Sequence, residues 1–133
     1  MRLIVPSLKS QLSPLRAQLR ELLSRRRLSE SAVHDLVLAV HEAVVNAMVH
    51  GNRLDPERSV RLRIEFRARE VEVEVADEGE GFDWRGWLVR VQCEGVPPDS
   101  PSGRGIRVIS CVMDRIAYNA SGNVVHLTKR YDR

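Results

Sequence analysis

The sequence predicts helices and antiparallel hairpins in one domain, an α/β chain of the α+β kind. Three patterns carry that prediction. Between Leu8 and Met48 apolar residues recur at i, i+3 and i+4, the spacing of helices with one buried face. From Val60 to Ala76 apolar and charged residues alternate, the period of half-buried strands. A second alternating pair, around Ile116–Tyr118 and Val125–Lys129, flanks Ala120-Ser121-Gly122-Asn123, which has the composition of a hairpin turn. A length of 133 residues suits a single domain, 1–133, with a real core.

Composition narrows the function classes. Hydrophobic residues at 43% and charged residues at 29% are ordinary for a globular protein and argue against global disorder. A formal charge of +3 permits an acidic partner without calling for nucleic acid. No apolar run reads as long enough to cross a bilayer, and Met1–Pro6 is too short for a signal peptide, so no membrane role and a cytoplasmic location are expected. Cys93 and Cys111 lack C-x-x-C spacing and read as free thiols, with no zinc site.

Arg2–Pro6 reads as a brief edge strand stopped by Pro6. Leu8, Leu12, Leu15, Leu19, Leu22 and Leu23 make one face of a first helix, with Pro14 at its first turn or kinking it. Arg25-Arg26-Arg27 closes that helix, where cations complement the dipole, and reads as a solvated end. Ser29 or Ser31 caps a second helix that ends near Gly51, a plausible C-terminal glycine. Val60–Phe66 and Val71–Val75 form a hairpin around Arg69-Glu70. Asp83–Ser102 has no periodicity, holds Trp84, Trp87 and three prolines, and is long enough to be a functional lid. A third helix follows the glycine-rich Ser102-Gly103-Arg104-Gly105-Ile106.

Three of these elements carry chemistry. On the second helix Glu42, Asn46 and His50, spaced i, i+4 and i+8, form one polar stripe of a carboxylate, a carboxamide and an imidazole. Alone this is what any surface helix shows. His34, His41 and His126 read as surface or packing residues. The second strand of the hairpin runs into Asp77-Glu78-Gly79-Glu80-Gly81-Phe82, whose glycines let the backbone turn and approach a ligand. The third helix opens at a glycine-rich turn, which offers unpaired N–H groups and the positive dipole end to phosphate. A lone G-x-G is weak; the three together, in this order, are far more specific.

In that order the chain resembles the gyrase, histidine-kinase and MutL ATPase superfamily, and within it the bacterial anti-sigma-factor serine/threonine kinases. E-A-V-V-N-A-M-V-H-G-N (42–52) is similar to their asparagine box, D-E-G-E-G-F (77–82) to their first glycine box and S-G-R-G-I (102–106) to their second. V-M-D-R-I and G-N-V-V-H-L-T-K resemble the family's C-terminal part, so the resemblance runs from about Leu3 to Lys129. It implies a two-layer sandwich, a mixed and mostly antiparallel sheet with helices on one face, the histidine-kinase-like (Bergerat) ATPase fold. The lid is then about 83–103.

The resemblance also implies ATP and magnesium. Asn46 is the implied magnesium ligand, Asp77 the acceptor for the adenine amino group, and Gly79 and Gly81 the close approach to base and sugar. Gly103, Arg104, Gly105 and Ile106 are the implied phosphate turn, with His50 at the phosphates or simply at the helix end. Glu42 is the implied general base toward a serine or threonine hydroxyl. The implied function is an ATP-dependent kinase that phosphorylates an anti-anti-sigma-type partner and binds a sigma factor, with homodimerisation a family expectation. One alternative keeps the nucleotide and drops the chemistry, leaving a nucleotide-dependent binding switch. A basic nucleic-acid-binding domain is another, supported only by the arginine run and a pI of 9.3.

Overall fold

The computed structural model describes residues 1–80 and 101–131. Its elements are β1 (Arg2–Pro6), α1 (Leu12–Ser24), α2 (Glu30–Asn46), a π-helical turn (Ala47–Gly51), β2 (Ser59–Phe66), β3 (Glu70–Ala76), α3 (Pro101–Val112), β4 (Arg115–Tyr118) and β5 (Val124–Arg130). The strands form a five-stranded sheet in the order β1-β2-β3-β5-β4. Every pairing among the described strands is antiparallel, including β3 with β5, so this part of the sheet lacks the mixed character the resemblance implies. The expected lid, with Gly81, Phe82, both tryptophans and Cys93, falls largely on residues 81–100, outside the described residues.

Alternation sets the two faces of the sheet. Val60, Leu62 and Ile64 of β2, Val71, Val73 and Val75 of β3, and Val125 and Leu127 of β5 are all buried. They join Leu15, Leu19 and Leu23 of α1, Leu36, Val40 and Val44 of α2 and Ile109 of α3 in one core. Most of the intervening residues of β2 and β3 are charged, and several pair across the two strands. Arg63 meets Glu74 at 2.8 Å and Arg67 meets Glu72 at 3.1 Å. One face of the sheet therefore carries the helices and the other an ionic lattice.

The helical layer is built around α2, which packs against both α1 and α3. Ser29 caps it, its side chain accepting from Ala32 N at 3.1 Å. Contrary to the sequence expectation, Glu30–Gly51 is long and apolar enough by composition to cross a membrane, with a mean hydropathy of 1.4. Its apolar side chains are instead spent on the core: Leu36, Ala39, Val44 and Met48 are fully buried. Pro14 lies in the first turn of α1, where its missing N–H costs nothing. At the other end Arg26 stacks on Phe66, 4.1 Å from the ring centre.

The end of α2 departs from expectation. After Asn46 the chain winds wider, with Asn52 N donating to Ala47 O at 2.8 Å. The left-handed residues that stop it are Arg53 (φ 54°) and Leu54 (φ 56°), not Gly51. Gly51 is needed for a different reason, contact with β3, described next.

Candidate functional site

Gly51 and Asp77 meet where α2 and β3 end. A Cβ on Gly51 would fall inside the Asp77 carboxylate, and a Cβ on Gly79 would fall on the Gly51 carbonyl. Both glycines serve close approach, and the carboxylate lies directly over the Gly51 backbone. Asp77 Oδ1 accepts from Gly79 N at 2.7 Å, and Asp77 N donates to Asn123 O at 2.9 Å. Among the described residues Oδ2 receives no hydrogen bond. Burial raises the Asp77 pKa above the usual carboxylate value, and the Gly79 N–H and the Arg58 charge pull the other way.

Two further segments brace this corner. The turn between β4 and β5 holds Asn123, whose Nδ2 donates to Gly79 O at 3.2 Å. Asn119 secures that turn through Oδ1, which accepts from Gly122 N at 2.8 Å and Asn123 N at 3.0 Å. Asn52, one residue past Gly51, is almost wholly buried and its Oδ1 accepts from Glu78 N at 2.8 Å. Nothing in the sequence gives Asn52, Asn119 or Asn123 a role of its own. Asn52 stands inside the asparagine-box stretch, yet only its burial among distant segments separates it from a loop asparagine.

Glu42 and Asn46 are half-buried on α2, one turn apart, as the spacing predicts. His50 is exposed, and the π-helical turn breaks the α-helical register between it and Asn46. Burial lowers the His50 pKa. His41 bridges α2 to α1, its Nδ1 3.1 Å from Arg16 Nη1. Burial and the Arg16 charge lower its pKa, and the Glu42 carboxylate opposes them.

Lys129 Nζ donates to Asp35 Oδ2 at 3.0 Å and to Val112 O at 2.7 Å. The last residue of α3 is thus tied near the start of α2. Helices α2 and α3 pack against each other along their lengths. Helix α3 starts at Pro101, so Gly103, Arg104 and Gly105 lie in its first turns rather than before it. No acidic residue stands in that first turn to oppose an anion. Ile106 is fully buried, so its side chain packs the core and only its backbone is available to a ligand.

The chain was compared with known proteins. The model of the histidine kinase-like ATPase domain family matches residues 5–129. The serine-protein kinase RsbW of Bacillus subtilis is 30% identical over 94% of this chain and 81% of its own length. An anti-sigma F factor of Clostridium botulinum is 25% identical over 75% of this chain and 72% of its own. Among solved structures, the RsbU and RsbW domains of Rv1364c from Mycobacterium tuberculosis match with a TM-score of 0.68 at 23% identity, over 100% of this chain and 32% of that one. The histidine kinase domain of the EL346 blue-light activated kinase from Erythrobacter litoralis matches at 0.54 and 15% identity, over 95% of this chain and 61% of that one. The two structures speak to fold alone. Sandwich, glycine contacts and family match agree: this chain belongs to the histidine kinase-like ATPase domain family and stands with its RsbW-type serine kinases and anti-sigma factors.

Proposed function

We propose that this domain binds ATP with magnesium and transfers the γ-phosphoryl group to a serine or threonine of a small anti-anti-sigma-type protein, and that it also binds a sigma factor. The observation that carries the nucleotide reading is the Asp77 carboxylate, seated on Gly51 with one oxygen held by Gly79 N and the other receiving no hydrogen bond among the described residues. That oxygen suits the amino group of adenine. The kinase and anti-sigma names of the relatives support the choice of reaction and partners.

The donor set fits magnesium nucleotide. Among the described residues no group of three His, Cys, Asp or Glu side chains could cage a metal. Magnesium does not need such a cage, since it keeps several waters and takes one or two protein oxygens besides phosphate. Asn46 offers one hard amide oxygen from a half-buried position. Bound magnesium nucleotide supplies the phosphoryl donor and neutralises its charge. The first turn of α3, through the backbone N–H groups of Gly103, Arg104, Gly105 and Ile106, faces the phosphates, with His50 at their margin. Gly79 and Gly81 pass the base and sugar.

Glu42, one turn before Asn46, orients the attacking hydroxyl and takes its proton. The new bond joins that oxygen to the γ-phosphorus, the bond to the β–γ bridging oxygen breaks, and ADP leaves. Positioning dominates this chemistry, so Glu42 matters chiefly through where it holds the hydroxyl. The test is phosphoryl transfer from ATP to an anti-anti-sigma-type protein, read by intact mass. Glu42→Ala should slow transfer by about 100-fold or more while ATP binding persists. Transfer at the wild-type rate by Glu42→Ala would end Glu42's role. Wild-type protein that binds ATP but phosphorylates nothing would favour a nucleotide-dependent binding switch.

A further inference from the structure

Asn52 is 1% exposed, and nothing in the proposed chemistry uses it. Its carboxamide is fully employed. Nδ2 donates to Ser7 Oγ at 2.9 Å and to Ser59 O at 3.0 Å, and Oδ1 accepts from Glu78 N at 2.8 Å. These partners come from the end of β1, the start of β2 and the turn after β3. They also fix the orientation of the amide. A carbonyl only accepts and a backbone N–H only donates, so exchanging Oδ1 and Nδ2 would oppose both. Ser7 Oγ already donates to Arg58 O at 2.8 Å and therefore accepts from Asn52. Glu78 closes the ring, its Oε2 accepting from Ser59 N at 2.5 Å.

We infer that Asn52 is a positioning residue for base selection, acting through Asp77; the inference rests on the nucleotide reading above. Asp77 hangs between fixed points. Its own N–H is held by Asn123 O at 2.9 Å and the next N–H by Asn52 Oδ1. The floor beneath its carboxylate is Gly51, the residue before Asn52. One buried side chain thus fixes both the floor and the following residue of the turn. Without Oδ1 the Glu78 N–H loses its partner, and the turn is released to find another. The carboxylate then loses its direction.

Base preference is the property this would change. Adenine presents an amino donor where guanine presents a carbonyl oxygen, which a carboxylate repels. The phosphates are common to ATP and GTP, so the ratio of their affinities isolates the placement of Asp77 from the rest of the site.

Calorimetry with magnesium would give Kd for ATP and GTP on wild type, Asn52→Ala and Asn52→Asp, with melting temperatures for each. Asn52→Asp keeps an acceptor for Glu78 but turns an oxygen toward Ser59 O. It should melt lower yet hold the ATP-over-GTP ratio within about threefold of wild type. Asn52→Ala should lower that ratio by about tenfold or more. A ratio unchanged in Asn52→Ala, or one that tracks melting temperature across both variants, overturns the inference and leaves Asn52 as a structural residue. Wild type that binds ATP no better than GTP overturns the reading of Asp77 first, and the inference with it. If Asn52→Ala does not fold, hydrogen exchange on nucleotide-free wild type decides. A protected Glu78 amide supports a turn set before the nucleotide arrives; a freely exchanging one overturns it.

Discussion

Asp77 is held in a place that costs stability. Burial raises its pKa, which means the fold favours the protonated acid. The corresponding stability is fully present below the unfolded value of about 4 and is lost as pH rises through the raised folded value. At neutral pH the carboxylate is ionised and partly desolvated. Asp77→Asn keeps an oxygen for Gly79 N and removes that charge. It should therefore melt at or above wild type at pH 7, with the gap closing below about pH 4. Its ATP affinity should nevertheless collapse, because the amide turns a donor toward the adenine amino group. A variant that melts well below wild type at pH 7 would show the charge to be stabilising instead. The neighbouring glycine makes a second test. Gly51→Ala drives a methyl group into the Asp77 carboxylate and should cost about 1–3 kcal/mol along with ATP affinity. Arg53→Gly relieves a left-handed residue at φ 54° and should gain up to about 1 kcal/mol. Denaturant melts that reversed this order would place the strain elsewhere. Asp77 stands out in the sequence only through the resemblance of D-E-G-E-G-F to a first glycine box, because an acid before paired glycines reads equally well as the start of a turn. The purpose of Gly51 is not legible there, because helix-ending and contact-making glycines look alike until the neighbouring strand is in place.

At the scale of elements, periodicity carried most of the information. The alternation of β2 and β3, the leucine face of α1 and the Ser29 cap of α2 appear as the sequence predicts. The π-helical turn does not, since its i to i+5 bonding is decided by where Asn52 and Leu54 are held rather than by propensity. The start of α3 also moved, from the glycine-rich turn back to Pro101, because a proline fits the first helical position. The tie between α3 and α2 was equally hidden, since Lys129 on β5 read only as the end of a strand. It now joins Asp35 and the Val112 carbonyl, with both charged side chains less than one-quarter exposed. Lys129→Met keeps the aliphatic stem but leaves a shielded carboxylate and a helix-end carbonyl without their donor. The expected loss is roughly 2 kcal/mol. Adding Asp35→Asn should recover part of it, because the stranded charge is gone. A denaturant series in which the double variant is no better than Lys129→Met would show that the pair contributes through packing alone.

Across the whole molecule, the turn that ends α2 and the end of β3 meet at one end of the sandwich. Gly51, the end of β3 and the β4–β5 turn converge there, while the arginine run after α1 and the Lys129 tie lie toward the other end. The order and spacing of the three boxes, with the resemblance they carry, suggest that they meet, and the structure joins Gly51 of the first to Asp77 and Gly79 of the second. What joins them was not readable, because Ser7, Asn52, Ser59 and Glu78 come together only when β1, β2 and β3 are paired. A nucleic-acid-binding domain would leave the glycine contacts around Asp77 without a purpose, whereas a nucleotide gives each a role. The most direct test is a calorimetric titration of ATP with magnesium into wild type, Asp77→Asn and Asn46→Ala. Wild type should bind, Asp77→Asn should lose affinity, and Asn46→Ala should lose only the magnesium-dependent part. A folded wild-type protein that takes up no ATP, or two variants that bind as well as wild type, would contradict the nucleotide reading.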